Sequence, residues 1–397
     1  MAFFDAALER QSYNGDQSSK KDSTTFVTLV VNGQQILTKD YCYISDVLGI
    51  GDPFSCTIPN PDGQYTPYVT PGQSVKLYMS DSQVNGGAQI LFFTGIVVSR
   101  DFVSNMQGSL MRITCCDLGW HLQNNTAPVW LSLRGLRWDV LLKKLLDPSW
   151  GFTGVSNGAS KKNKNLRLGR AGAALEVTPQ AYPPVLPRIQ VEPGETCADI
   201  LIKYAKLSKL LINVTGDGIL QVFSPDYTTP NFYSLYLKKS TDPTRNQNNV
   251  QSVSITDSID GIYTDVSCYS VVLIPQYAQS NNPNEGHFKG LYNDSKALPF
   301  VHRISFADAE QLSVTQAKNR SVWKANRGAF DSFKYEAVVY GHQQNGSFYT
   351  PDTMCSIDDT VHNIRGNFYI QAVKYERDNQ SGTKTTLTLR KAGLLAA

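Results

Sequence analysis

The chain has 397 residues, too many for one ordinary core, so two to four domains are expected. Charged residues make up only 18% of it, and a formal net charge of +3 gives no electrostatic case for nucleic acid or an anionic membrane surface. Its seven cysteines are an odd number without a CxxC spacing, so they cannot all pair within the chain; a reducing compartment is the simplest reading, with the thiols as small buried hydrophobes.

The opening MAFFDAALERQSYNGDQSSKKD lacks a basic start followed by a sustained apolar run, so no secretory signal is expected. No apolar stretch approaches the roughly 20 residues of a membrane span, and the chain reads as a soluble protein made in the cytoplasm. Phe3, Phe4, Ala7 and Leu8 fall on one face of a short helix. Residues 1–23 therefore read either as a frayed terminus or as an arm docking on a neighbouring subunit. From Thr25 the pattern has period two, and Asn32-Gly33 between apolar runs is the signal of a type I′ hairpin. Further strands are expected at 41–47, 53–58, 74–80, 90–99 and 109–116, making residues 24–125 a small barrel or sandwich that closes near Leu122.

Residues 126–188 read as a helical segment, a basic Gly-rich loop and a Pro-rich linker. Trp138, Leu141, Leu142, Leu145 and Leu146 share a helical face within 132–148, and Asp147-Pro148 ends that helix. Lys161, Lys162, Lys164, Arg167 and Arg170 lack interleaved aromatic residues, so a solvated loop is expected rather than a base-stacking site. YPPVLPR at 182–188 is the linker. Residues 189–248 read as a small β-α-β-hairpin domain. Ile189 and Val191 begin it, Thr196 caps a helix with Asp199 in its first turn, and Ala198, Leu201, Ile202, Ala205 and Leu207 form the buried stripe. This stretch opens like a LysM wall-binding module, but LLINVTGDGILQVFSP supplies a hairpin where LysM carries a second helix. A polar stretch, 226–249, follows.

Residues 249–397 read as a second β-barrel with insertions. GIYTDVSCYSVV alternates, with Ile262, Thr264, Val266 and Cys268 on one face. Residues 276–298 read as an exposed loop, and 307–327 as a helix with Ala309, Leu312, Ala317 and Trp323 inward. Strands are expected at Phe333–Tyr340, Phe368–Arg377 and Lys384–Leu389. The fold class is thus mainly β (α+β), with two small barrels plus small α/β domains.

No catalytic constellation emerges. The histidines at 121, 287, 302, 342 and 362 stand apart without HxH or HExxH, and DDTVH (358–362) reads as a strand-end turn, because a metal site needs three or four converging ligands. GxSxG, GxGxxG and Walker A patterns are absent from the sequence. Cys197 is the one cysteine placed as a nucleophile would be, at a helix start, and reads as core. No catalytic, cofactor-binding or metal-ligating residue is expected, and no enzyme.

The series TPGQSVKLYM, LFFTGIVVSRDF, MRITCCDLGWHLQNN, the GET turn with its helix and GDGILQV hairpin, DGIYTDVSCYSVV, RSVWKANR, VVYGHQQNGSFYTPD and GNFYIQAVKYERDNQSGTKTTLTLRKA resembles the baseplate hub proteins of Mu-like contractile phage tails, in order along most of the chain. The resemblance implies a homotrimer in which two similar barrels per chain build a pseudo-sixfold ring. Such a ring would join a sixfold tail tube to a threefold spike and surround the channel for DNA ejection, with no catalysis of its own. It implies as partners the tail spike protein, tail tube or tape-measure proteins and other baseplate proteins, with DNA as transient cargo and no membrane insertion. It also implies a late protein, assembled in the host bacterial cytoplasm and located in the virion. The arm 1–23 and the stretch 149–186 look longer than usual for that family. The competing expectations are a peptidoglycan-binding or cell-wall-degrading tail component, and the hub of a non-contractile tail or tail-derived secretion machine.

Overall fold

The computed structural model describes residues 25–105, 108–128, 138–152, 154–157, 191–207, 210–225, 227, 231–271, 287–308, 314–378 and 382–395. The arm, the basic cluster 161–170, the linker 182–188 and Ile189 lie outside the described residues.

The first barrel comprises β1 (Phe26–Val31), β2 (Gln34–Ile36), β3 (Asp40–Asp46), β4 (Pro53–Pro59), β5 (Ser74–Ser80), β6 (Ile90–Asn105) and β7 (Gly108–Asp117). Asn32 and Gly33, both at positive φ (48° and 80°), make the β1–β2 turn in the conformation a type I′ hairpin needs. Alternation does the rest. Val75, Leu77 and Met79 point into the core while Ser74 and Lys76 face out, and β4 buries Phe54, Cys56 and Ile58 in the same way. The β6–β7 hairpin runs well past the expected 90–99.

A small α/β unit follows: α1 (Gly119–Asn124), α2 (Trp138–Leu145), β8 (Gly154–Asn157), α3 (Cys197–Leu207), β9 (Leu211–Val214) and β10 (Ile219–Phe223). The helix expected over 132–148 is described from Trp138 and ends at Leu145, after which Asp147 accepts a hydrogen bond from Ser149 N at 2.8 Å. Thr196 and Asp199 form a reciprocal cap. Asp199 N donates to Thr196 Oγ1 at 3.1 Å, and Thr196 N donates to Asp199 Oδ2 at 3.0 Å. Leu122, Leu141, Leu142, Leu145, Leu201 and Tyr204 meet under the β8–β10 sheet in a core of their own. β9 and β10 pair antiparallel as the expected hairpin, and β8, in a stretch not read as a strand, adds to β10 in parallel.

The second barrel comprises β11 (Tyr233–Leu237), β12 (Val250–Asp257), β16 (Phe333–Tyr340), β19 (Thr353–Asp359), β20 (Ile364–Asp378) and β21 (Gly382–Lys391), with the short hairpin β17 (Gln343–Gln344) and β18 (Ser347–Phe348) beside it. Between β12 and β16 are inserted β13 (Asp265–Val271), β14 (His287–Asn293), β15 (Arg303–Ala307) and α4 (Val314–Ser332). Three expectations are corrected here. The polar stretch 226–249 contains β11, which pairs in parallel with β19. The loop read at 276–298 contains β14, which pairs with β13 over its whole length. The helix read at 307–327 is described from Val314 and continues to Ser332, because Phe330 is fully buried and Ala307 is held in the parallel ladder with β13. On that helix Ala317 and Ala325 face inward, but Trp323 is only half-buried, with the Arg320 guanidinium 4.4 Å from its ring centroid. Ala309 and Leu312 lie outside the described residues.

The two barrels repeat one topology. The strand order β3-β4-β7-β6-β5-β1 matches β12-β16-β21-β20-β19-β11, and the matched strands occur in the same order along the chain. Both long hairpins carry a register shift, at Val97/Ser99 and at Ile370/Ala372. All corresponding pairings are antiparallel except the last, where β1–β5 is antiparallel and β11–β19 parallel. Asn249 closes the second barrel: it donates to Ser234 O at 2.7 Å and accepts from Tyr236 N at 2.9 Å, linking β11 to the start of β12.

α4 crosses β14 at Gly290, where a Cβ would run into the backbone of Ala317 and Lys318. Ser321 Oγ donates to Gly290 O at 2.9 Å at the same crossing. Gly290→Val is therefore expected to cost about 3 kcal/mol, as overpacking does, and to do so locally. Hydrogen exchange should accelerate in β13–β15 and α4 while the barrel amides keep their protection.

Candidate functional site: the junction between the barrels

β20 belongs to both barrels. Its first half pairs with β19, its second half with β3, and β21 runs along its other edge. Residues 368–373 are all buried, the signature of a strand covered on both faces. Aromatic rings fill the space around it. Tyr43 of β3 stacks on Tyr375 of β20 with centroids 5.7 Å apart, while Phe92 of β6 meets Phe348 and Tyr375 edge-on at 4.9 and 5.5 Å.

A buried histidine links the barrels through both ring nitrogens. His342 Nδ1 lies 2.7 Å from Thr385 Oγ1, and Nε2 lies 2.8 Å from the Tyr41 hydroxyl. Thr385 Oγ1 spends its proton on Gly341 O at 2.6 Å. It can then only accept from the ring, so Nδ1 carries the hydrogen and Nε2 accepts from Tyr41. Burial, with Arg377 adding a smaller push, drives the imidazole pKa down to about 3 and keeps the ring neutral.

A polar cluster joins three units below it. Gln371 Nε2 donates to both carboxylate oxygens of Asp46 at 3.2 Å, and Gln371 Oε1 accepts from Arg390 Nε at 2.9 Å. Arg390 Nη1 also donates to Asp331 O and Phe333 O at 3.0 and 2.8 Å, gathering the end of α4, and Asn213 of β9 donates to Asp46 O at 3.3 Å. Asp52 and Asp117 are buried beside this cluster. Asp52 Oδ1 accepts from Asp46 N at 3.2 Å, and Asp117 Oδ1 accepts from Gly119 N at 2.7 Å. Desolvation raises both carboxyls, Asp117 to about 7, and the Asp117 charge raises Asp52 further.

The residues weighed for chemistry fall elsewhere. Cys197 is buried with its Sγ 3.9 Å from Leu145 O, and burial pushes its thiol up, away from the reactive thiolate. In DDTVH, Asp359 accepts from His362 N at 2.9 Å and from Tyr335 OH at 3.1 Å, and pairs with His362 Nδ1 at 2.8 Å, which makes a strand-end turn. His121 stacks on Trp150, and His302 Nδ1 lies 2.7 Å from Ile262 O. Among the described residues, no group of three or more His, Cys, Asp or Glu is placed to hold a metal, and no helix is long and apolar enough to cross a membrane. Nothing in the sequence pointed to His342, Tyr41, Gln371 or Arg390, whose partners lie far away in the chain.

Two like barrels share a strand, one α/β unit lies between them in the chain and a second is inserted within the second barrel, and solved tail proteins have the same fold. The chain is similar over 94% of its length to the tail protein from Neisseria meningitidis MC58, at 20% identity, TM-score 0.73 and 98% coverage of that chain. It is also similar to the 43 kDa tail protein of prophage MuSo2 from Shewanella oneidensis, at 16% identity, TM-score 0.67, and coverages of 93% and 98%. A type VI secretion component of E. coli, itself similar in structure to the T4 bacteriophage tail proteins gp27 and gp5, matches 93% of this chain and 78% of its own at 10% identity and TM-score 0.52. No family model and no curated protein matches the sequence. The fold is mainly β and is that of the Mu-like prophage tail proteins, as the sequence resemblance implied.

Two pH effects of opposite sign follow. His342 titrates lower in the folded chain than its ordinary ~6.5, so its contribution is full above that value and is lost as pH falls toward 3. His342→Gln should weaken this dependence, read as a smaller loss of stability on acidification from pH 7 to 5. Asp117 titrates higher than its ordinary ~3.9, so its contribution is full below that value and is lost as pH rises through about 7. Asp117→Asn, which keeps the oxygen that Gly119 N needs, should therefore gain on the parent chain by up to about 1.4 kcal/mol per pH unit between pH 4 and 7, measured by denaturant melts across that range.

Proposed function

We propose that the chain is the structural hub of a phage tail baseplate, a homotrimer whose six barrels alternate around one axis. The observation that carries this reading is the repeated barrel topology, with the same six-strand order twice in one chain. Three such chains present six near-equivalent modules, which suits a sixfold tail tube on one side and a threefold spike on the other. The similarity to prophage tail proteins over nearly the whole chain supports the same setting.

The ring surrounds the passage for DNA, which moves through it as transient cargo. Its partners are the spike, the tail tube or tape-measure proteins and other baseplate proteins, and its place is the virion, after assembly in the host cytoplasm. The role is geometric and has no catalytic step. Rings of this kind need heterologous contacts that close after a fixed rotation. Exposed apolar side chains available for such contacts include Leu37 next to the β2 edge and Phe102 and Val103 at the far end of β6.

Sedimentation of the purified protein, alone and with a candidate phage tail spike protein, tests the proposal. A trimer is expected in at least one condition, and images of that trimer should have six lobes. A chain that stays monomeric in both conditions would sink the hub reading.

A further inference from the structure

A groove on the outer face of the first barrel is unused by anything described above. It encloses about 570 Å³ and is walled by Lys76, Thr94 and Ile96 of the sheet and by Trp120, His121 and Trp150 from the adjoining α/β unit. The His121 and Trp150 rings stack at 5.6 Å and form a flat apolar wall. Thr94 Oγ1 is buried and has no partner among the described residues, so the groove also offers an unspent hydroxyl. Among the described residues, Lys76 is the one charged side chain that lines it.

We infer that this groove receives the N-terminal arm of its own chain, with Phe3, Phe4 and Leu8 against the two tryptophans. Reach supports this occupant. β1 begins at Phe26, whose Cα partner is Ser80 of β5, and the groove lies along β5 and β6, where Lys76 opposes Val30 on one side and Thr94 on the other. Four residue steps along β5 lead from Ser80 to Lys76, about 13 Å at strand rise, whereas the tether from residue 9 to 25 spans up to about 55 Å when extended. As a flexible chain that tether has an r.m.s. span of about 22 Å, close enough to the gap to keep the arm at high effective concentration over its own barrel. Chemistry supports it too. MAFFDAALER is the only part of residues 1–24 with clustered apolar side chains, and Asp5 and Glu9 complement Lys76. Phe26, 65% exposed on the outward face of β1, gives the chain's entry an apolar side chain of its own. The inference is independent of whether the copies form a ring.

The test is Phe4→benzoylphenylalanine in the full chain, irradiated in an equal mixture of 15N-labelled and unlabelled copies carried through purification together. Mass spectrometry should place the main crosslinks on the segments holding Trp120 and Trp150, between peptides of like isotope. Mixed-isotope crosslinks at the same segments at the random frequency would overturn the assignment, because a neighbour's arm would then fill the groove. Crosslinks spread over other surfaces, or none above background, would overturn the site itself. Phe3→Ser with Leu8→Ser, which leave the barrel untouched, should reduce groove crosslinking by more than about tenfold, since one lost buried aromatic or leucine contact alone is about that size; unchanged crosslinking would also count against the site.

Discussion

The whole arrangement depends on β20 being a strand of two barrels at once. Its first seven residues pair with β19 and the later ones with β3, so rotating one barrel against the other would break a ladder rather than slide a surface. The register shift between Ile370 and Ala372 falls where the strand changes partners. A bulge bends its strand and increases local twist, which lets one continuous strand follow two differently oriented sheets. The inter-barrel angle is therefore fixed by backbone hydrogen bonds, which a loop connection would not achieve.

Side chains at the junction make that geometry specific. Apolar residues alone would tolerate small shifts, but His342, Tyr41, Thr385, Gln371 and Arg390 have partners only in one alignment. Each would carry a large desolvation penalty if unpaired. The cost of burying charge is avoided by neutral forms: burial holds the imidazole of His342 unprotonated and favours the protonated carboxyls of Asp52 and Asp117. Arg390 stays charged at the half-buried edge, where carbonyls at the end of α4 accept its hydrogens, so the inserted unit is tied to the same point as both barrels.

What was legible in the sequence follows from how local each signal is. Strands such as Ser74–Ser80 and Pro53–Pro59 alternate cleanly, and the Asn32-Gly33 turn forces its own φ values, so these could be read within a few residues. β11 and β14 escaped because their strand character comes from partners. YSLYL sits in a polar stretch and is held by β19 in parallel, and HFKGLYN carries a glycine demanded by a helix that crosses it. The end of α4 at Ser332 was missed for a similar reason, since Gly328, just past the expected end, lies against Gly261, where any side chain would collide. The junction itself was invisible: Tyr41 and His342 are 301 positions apart, Asp46 and Gln371 are 325 apart, and no local pattern records such a pairing.

The repeat was equally hidden, because it lives in strand order and not in residues. Its two copies differ in a way that bears on the proposed ring. Between β3 and β4 the chain turns in six residues, whereas the equivalent interval between β12 and β16 carries β13–β15 and α4. The barrels can thus be alike where they share topology and unlike where the insertion projects. In a threefold assembly this gives six similar modules and three distinct projections from one sequence. That combination suits an adaptor between unequal symmetries, whereas six copies of a single-barrel chain would carry six identical projections and no threefold distinction.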